Sequence, residues 1–172
     1  MAKARNPART KGTYVTLKKR LTGGRLSLQE LHDTLMGLDQ ATPDRDASEE
    51  NLVFLRDANI VRCLTQLPIG EKWYHWFASF TEFHVGQRHA MKDSPEALAH
   101  FERSLMHARC GEGVSWVAYV EGTILYMKGK RIPRSLFMRV KEAPNVHVLR
   151  RLNAGLKKRG CPSYGEDYPA PK

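Results

Sequence analysis

Apolar residues recur every three or four positions along most of this chain, the spacing that places them on one face of an α-helix. The clearest case is a stripe of four leucines between residues 28 and 38. Ser27 precedes the stripe and Glu30 follows three residues later, which is the spacing of a capping box. We therefore predict a helix that begins after Ser27 and buries its leucines.

The segment before it predicts another helix, which starts at Thr13 and ends at Gly23-Gly24. Its apolar face carries Tyr14, Leu17 and Leu21, and every charged residue within it is a lysine or an arginine. The opposite face of this helix is therefore purely cationic.

The same periodicity predicts six further helices, and an alternating strand pattern competes with it nowhere. An aromatic stripe that runs from Trp73 to Phe83 is expected in the core. Pro68 with Gly70, and Pro144, interrupt the helical pattern. The further helices are expected at 48–66, 71–86, 94–108, 115–128, 134–140 and 145–160. The sequence thus predicts an all-α fold of about eight helices in antiparallel pairs.

Length and composition fit one folded domain. The chain has 172 residues, 41% of them hydrophobic and 27% charged, which is ordinary for a globular protein. Three cysteines without a close pair indicate a reducing compartment and no disulfide framework. No run of 18 apolar residues occurs, so we expect no membrane-spanning segment.

The charge distribution is unusual. The formal net charge is +10, and residues 1–25 carry eight Lys/Arg without an acid, whereas residues 26–127 carry eight against fifteen and residues 128–172 carry twelve against three. Two basic ends thus flank an acidic middle, a pattern typical of chains that contact phosphates or another anionic surface.

These ends supply the candidate RNA-binding residues. We divide the chain into a basic, flexible N-terminal arm (1–11), an α-helical repeat domain (12–160) and an irregular, Pro-rich C-terminal tail (161–172). The cations expected to contact RNA are Lys3, Arg5, Arg9, Lys11, Lys18, Lys19, Arg20, Arg25, Arg150, Arg151, Lys157, Lys158 and Arg159.

Two segments match each other at an offset of 43 residues: Trp73 aligns with Trp116, and Gly86 with Gly129. The stretch WVAYVEGTILYMKGKRIPRSLFMRV (116–140) resembles a tetratricopeptide repeat, because Gly122 and Gly129 keep the seven-residue separation of that family. The resemblance implies helical hairpins stacked as a short right-handed solenoid.

The opening stretch is more similar to a pentatricopeptide repeat. Tyr14, Leu17, Leu21, the Gly24-Arg25-Leu26 turn and Pro43-Asp44 follow that family's order, and Pro144 to Gly160 looks like the first half of another unit. This resemblance implies single-stranded RNA bound in a basic groove. The family's base-reading position after the tyrosine is Val15 here, so we expect contacts with the RNA backbone.

Residues with catalytic potential do not form a recognisable pattern. No Glu-x-x-His motif or phosphate-binding glycine loop is present, although either would be expected of di-iron bundles or nucleotide enzymes. His107 and Cys110 have a ligand-like spacing without a second pair, and Glu96/His100 fit an ordinary helix-surface pair. We predict no enzyme activity, cofactor, metal or small-molecule substrate.

The sequence favours a non-catalytic, RNA-binding structural component of a ribonucleoprotein assembly, with an organellar ribosome as the first candidate. Its basic ends are expected to bind RNA, presumed rRNA, and its acidic middle to face protein neighbours. This predicts a mitochondrial or other organellar location, with the cytoplasm as the alternative. The competing hypothesis is a protein–protein scaffold of tetratricopeptide type that binds a peptide or partner helix.

Overall fold

The computed structural model describes residues 7–40, 47–111, 113–140 and 143–165. Regular secondary structure in these ranges is entirely α-helical, which confirms the predicted all-α class. The helices are α1 (Pro7–Thr22), α2 (Leu28–Gln40), α3 (Ala47–Leu55), α4 (Ala58–Thr65), α5 (Gly70–Met91), α6 (Glu96–Gly111), α7 (Val114–Met127), α8 (Arg134–Arg139) and α9 (Ala143–Lys158).

The first helix is longer than predicted. It begins at Pro7 rather than Thr13, so the described part of the predicted flexible arm, residues 7–11, belongs to α1. Proline is well tolerated in the first turn of a helix, and Gly12 weakens a helix interior by only about 1 kcal/mol. Residues 1–6 of the arm lie outside the described ranges.

The end of α1 is as predicted. Gly24 adopts a left-handed conformation with φ of 65°, and the Arg25 amide donates to the Arg20 carbonyl at 2.8 Å. This bond pattern is a Schellman motif, for which glycine is the favoured residue. The capping box of α2 is also confirmed, because the Ser27 amide donates to Glu30 Oε2 at 3.0 Å and the Glu30 amide to Ser27 Oγ at 3.2 Å.

The single helix predicted from residue 48 to 66 is divided into α3 and α4. The Asp57 side chain accepts a hydrogen bond of 2.9 Å from the Asn59 amide and thereby caps α4. Aspartate competes well for such amides at a helix start. Periodicity alone therefore missed the break, because the apolar face continues across it to Ile60 and Leu64.

The core forms three clusters that follow one another along the chain. The first cluster is formed by the four helices α1, α2, α3 and α4 together with the first half of α5, and it includes Leu31 and Phe77. The second joins the remainder of α5 to α6 and α7, around Phe83 and Phe101. The third joins α7, α8 and α9, around Leu149. Helices α5 and α7 therefore each contribute to two clusters.

Adjacent helices differ in relative direction. Helices α5 and α6 are antiparallel, since residue 79 meets residue 104 and residue 89 meets residue 100. Helices α7 and α9 are parallel, since Gly122 meets Leu149 and Tyr126 meets Gly155. A β-carbon at Gly122 would lie 2.3 Å from Leu149 Cδ2, so glycine lets these two helices approach closely.

The predicted aromatic stripe is only partly buried. Phe77 and Phe83 are in the core, whereas Trp73, Trp76 and Phe80 are half-buried. The proposed match between Gly86 and Gly129 also joins unlike positions. Gly86 lies inside α5 against the Phe101 ring, while Gly129 follows the end of α7.

The junction between α4 and α5 is especially tight. Ile69 has a φ of 56°, and the next residue, Gly70, begins α5. A β-carbon at Gly70 would lie 1.8 Å from the carbonyl oxygen of Leu64. Because that oxygen belongs to the backbone, only glycine fits here without displacement of the chain.

A buried carboxylate links α5 and α6 to the turn between α3 and α4. Glu82 of α5 is 2% exposed, and it accepts hydrogen bonds from Arg56 Nη2 at 2.6 Å, His100 Nδ1 at 2.7 Å and Arg103 Nε at 3.1 Å. Burial by itself raises the pKa of Glu82, but the bonds from Arg56 and His100 and the charge of Arg103 outweigh it. The pKa of Glu82 therefore lies below its ordinary value.

Candidate nucleic-acid interface

The basic end formed by α8, α9 and their flanking turns carries a dense set of cations. The described residues between 128 and 165 include ten Lys/Arg and no Asp or Glu. Lys128 Nζ lies 2.7 Å from Glu102 Oε1, and Arg139 pairs with Glu121. Acids of α6 and α7 thus balance part of the charge of this surface.

The last helix, α9, has an apolar face and a cationic face. Leu149 and Leu156 are fully buried against α7 and α8, whereas Arg151, Lys158 and Arg159 are exposed. A helix that packs one face and presents cations on the other can contact successive phosphates without disturbing the core.

The chain after α9 docks back onto this helix. Asn153 Nδ2 donates to the Tyr164 carbonyl at 3.1 Å, and the Tyr164 amide donates to Asn153 Oδ1 at 3.0 Å. The Arg131 guanidinium lies over the Tyr164 ring, with Cζ 3.8 Å from the ring centroid. The described part of the predicted tail, residues 161–165, is irregular as expected but is held in place by these contacts.

A groove results between the docked tail and α9, with a cavity of about 290 Å³. Its lining includes two cationic side chains, an amide and an aromatic ring. Arginine and lysine suit phosphate oxygens, and aromatic rings suit nucleotide bases. The residues that line the groove are Phe137, Arg150, Asn153, Ala154, Lys157, Tyr164 and Gly165.

A second arginine–tyrosine contact lies where α7 ends. Arg159 Cζ is 4.1 Å from the centroid of the Tyr126 ring, and Arg159 Nη2 donates to the Tyr126 carbonyl at 2.8 Å. The contact fixes the guanidinium while leaving Arg159 exposed. Arginines held in this way are preorganised for an anionic ligand.

The predicted cations of α1 are partly engaged within the protein. Lys18 pairs with Asp57, and Arg20 Nη2 contacts Glu30 Oε1 at 3.0 Å and the Arg25 carbonyl at 3.1 Å. Lys19 and Arg25 are exposed. Sequence spacing placed these residues outside the apolar face of α1. It did not reveal that Glu30 of α2 and Asp57, which caps α4, would pair with two of them.

The remaining N-terminal candidates lie at or before the start of α1. Arg9 and Lys11 belong to α1, and Lys3 and Arg5 lie outside the described residues. Helix α1 packs into the first core cluster and α9 into the third. The two basic segments that the sequence treats alike therefore belong to different parts of the fold.

Some acids of the acidic middle (26–127) form ion pairs with arginines of other helices. Asp39 pairs with Arg88 at 3.2 Å, and Glu121 contacts both Arg109, at 2.9 Å, and Arg139. These pairs join neighbouring helices. Of these pairs, only that of Glu121 with Arg139 lowers the acidic excess of the middle, because Arg88 and Arg109 belong to the same segment.

Several residues of this basic surface were absent from the predicted set, among them Lys130, Arg131, Asn153 and Tyr164. Lys130 and Arg131 sit in the turn between α7 and α8, where no helical stripe draws attention to them. The cation density of the segment 128–134 was the available signal. The pairing of Asn153 with Tyr164 spans 11 residues and leaves no local pattern.

None of the helices in the described part of the chain is long and apolar enough to cross a membrane. No family model matches the chain, and no curated protein or solved structure is significantly similar to it.

Proposed function

We propose that this chain is a non-catalytic RNA-binding component of a ribonucleoprotein assembly, and that the surface of α9 with its docked tail is the main contact. One observation carries the proposal: ten cations and no acid occupy the described residues between 128 and 165, and a groove with an arginine, a lysine and a tyrosine lies among them. An organellar ribosome is our first candidate for the assembly.

The proposed binding mode is recognition of the RNA backbone rather than of its sequence. Exposed lysines and arginines such as Arg151 and Lys158 follow phosphates and carry no base information by themselves. Val15, which occupies the position where base-reading repeats carry a polar side chain, is 55% exposed and apolar. Both features favour contact with any single strand of sufficient length.

We also propose that the helices stack as a short solenoid of hairpins. The antiparallel pair α5–α6 and the parallel pair α7–α9 are the directions expected when hairpins repeat side by side. The succession of three core clusters along the chain is further support, because each unit of a solenoid packs against its neighbours.

The experiment measures binding of a fluorescent, mixed-sequence single-stranded RNA by anisotropy across a series of salt concentrations. The test variant is Arg151→Gln with Lys158→Gln. The control is Lys72→Gln with Lys92→Gln, which removes two exposed positive charges, one in the first turn of α5 and one directly after its end.

For single strands each phosphate contact contributes about −0.7 to the slope of log affinity against log salt. We therefore expect the test variant to lose about 1.4 from the magnitude of this slope, while the control keeps the wild-type slope. Equal weakening by both variants would show attraction by net charge alone. Absent or salt-independent binding by the unmodified chain would contradict the proposal.

The scaffold hypothesis keeps one supporting observation. A groove with a cavity of about 690 Å³ lies beside the first turns of α5 and is lined in part by Ile69, Trp73, Trp76 and Cys110. Ile69 is 78% exposed, so this groove could accept an apolar side chain of a partner helix. Failure of the RNA experiment with the unmodified chain would favour this second candidate.

A further inference from the structure

Two histidines and a glutamate converge where α5 turns into α6, far along the chain from α9. His89 lies near the end of α5, Glu96 begins α6, and His100 follows one turn later. Each residue offers one donor atom within 4.8 Å of the other two. We propose that these three side chains bind one divalent transition-metal ion, with Zn²⁺ as the simplest occupant.

Two of the donor atoms already have the separation that a metal needs. His89 Nδ1 lies 3.4 Å from Glu96 Oε2. Zinc binds imidazole nitrogen and carboxylate oxygen at about 2.0–2.2 Å in a tetrahedral arrangement, which places two such ligands roughly 3.4 Å apart. The donor atom of His100 lies within 4.8 Å of the other two, so side-chain rotations that shorten this separation would complete the three-ligand set.

A carboxylate orients the ring of His100. Its Nδ1 lies 2.7 Å from Glu82 Oε2, and Arg56 and Arg103 also donate to this carboxylate, which accepts from its neighbours. Nδ1 therefore carries the proton, although Arg103 Nη2 also lies 2.9 Å from it. The lone pair of His100 Nε2 is then left to bind a metal.

A second carboxylate orients the ring of His89. Its Nε2 lies 3.2 Å from Glu49 Oε1, which favours the proton on that nitrogen and leaves Nδ1 as an acceptor. Ser94 Oγ, 3.1 Å from Nδ1, can donate to it. Without a cation, the lone pair of Nδ1 and the carboxylate of Glu96 would face each other.

The cluster contains the candidate ligands and also the carboxylates that orient the two histidine rings. A histidine ligand whose second nitrogen donates to a carboxylate is the usual support for zinc, and both histidines here have one. The side chains of His89 and His100 are 19% and 12% exposed, whereas that of Glu96 is 69% exposed. The ion would therefore enter from the Glu96 side and hold the α5–α6 turn.

A protonated His89 between Glu49 and Glu96 would produce the same contacts without a metal. Calorimetric titration of the full chain with Zn²⁺, and with Mg²⁺ as a separate probe, distinguishes the two. Metal binding predicts one Zn²⁺ per chain, a rise in the melting temperature with Zn²⁺ and no response to Mg²⁺, because nitrogen ligands do not favour Mg²⁺. Absence of a Zn²⁺ response overturns the proposal.

Three variants locate the ion. Glu96→Gln removes a ligand at an exposed position and is expected to weaken Zn²⁺ binding at least tenfold. Glu49→Gln removes a positioning group and is expected to weaken it by roughly 10- to 100-fold. Glu71→Gln, which changes an exposed glutamate at the start of α5, should leave the affinity unchanged.

Co²⁺ provides a second readout that a purely structural effect does not move. When Co²⁺ replaces Zn²⁺ at this site, the visible absorption should show the intense bands of low-coordinate cobalt in the wild type and in Glu71→Gln, and weaker bands in Glu96→Gln. Equal spectra in all three proteins would place the ion elsewhere and refute the assignment.

Discussion

The buried carboxylate of Glu82 provides the sharpest test of the fold. Glu82→Gln keeps the side-chain volume but removes the negative charge that Arg56, His100 and Arg103 surround. The new amide group would also direct N–H donors toward N–H donors. A hydrogen bond to a charged group contributes about 1.5–3 kcal/mol, and loss of one partner from a buried pair costs about 3–5 kcal/mol.

Solvent reduces this cost. The side chains of Arg56 and Arg103 are 52% and 39% exposed, so both can regain water, whereas that of His100 is only 12% exposed. We therefore expect a loss of about 2–3 kcal/mol in the free energy of unfolding. In a chain of this size the melting temperature should then fall by about 4–12 °C.

Urea unfolding measured by circular dichroism checks this value. Glu102→Gln is the matched control, because Glu102 is 51% exposed and has a single partner, Lys128, at 2.7 Å; its loss should be below about 1 kcal/mol. Equal losses in the two variants, or a gain in Glu82→Gln, would refute the reasoning that the network stabilises the junction of α3, α5 and α6.

Three further changes test local features. Gly70→Ala should lower the free energy of unfolding by about 1–3 kcal/mol, because a β-carbon there would lie 1.8 Å from a backbone oxygen. The control Gly37→Ala, whose β-carbon meets no atom within 4 Å, should raise the free energy of unfolding by about 0.5–1 kcal/mol. Similar urea midpoints for the two variants would contradict the close approach at Gly70. Ser27→Ala should cost about 1 kcal/mol through loss of the α2 cap, which the urea midpoint of the variant measures. Burial and the neighbouring His75 lower the pKa of His107 in the folded protein. As the pH falls, His107 is therefore protonated in the unfolded chain before it is protonated in the folded one. The stability that this group contributes is thus present above about pH 6.5 and declines below it. Urea midpoints at pH 7.5 and 5.5 should differ less in His107→Gln than in the wild type, and an unchanged difference would rule out this source.

The sequence was sufficient for features that rest on local chemistry. The capping box at Ser27, the glycine end of α1 and the buried face of α9 each follow from residues within one or two helical turns of one another. Short-range backbone geometry and helical spacing determine them. Spacing alone was less reliable in α3, where Val53 was expected on a broad apolar face and is 71% exposed.

Local sequence patterns could not predict contacts between residues that are far apart along the chain. Arg56 and Glu82 are 26 residues apart, and Lys18 meets Asp57 across 39 residues, so no local pattern reveals either pair. The predicted RNA contacts of α1 treated Lys18 and Arg20 as equivalent to the cations of α9 for this reason. The contacts of His89 with Glu49 and of His100 with Glu82, across 40 and 18 residues, were hidden in the same way.

Because α5 and α7 each belong to two core clusters, neither end of the described core can melt while the rest stays fully packed. Separation of the first cluster would remove the packing partners of Phe77, which lies on the same helix as Phe83 of the second cluster. Denaturation should consequently be a single cooperative event, and a ligand seated on α9 should slow amide exchange in α2 as well.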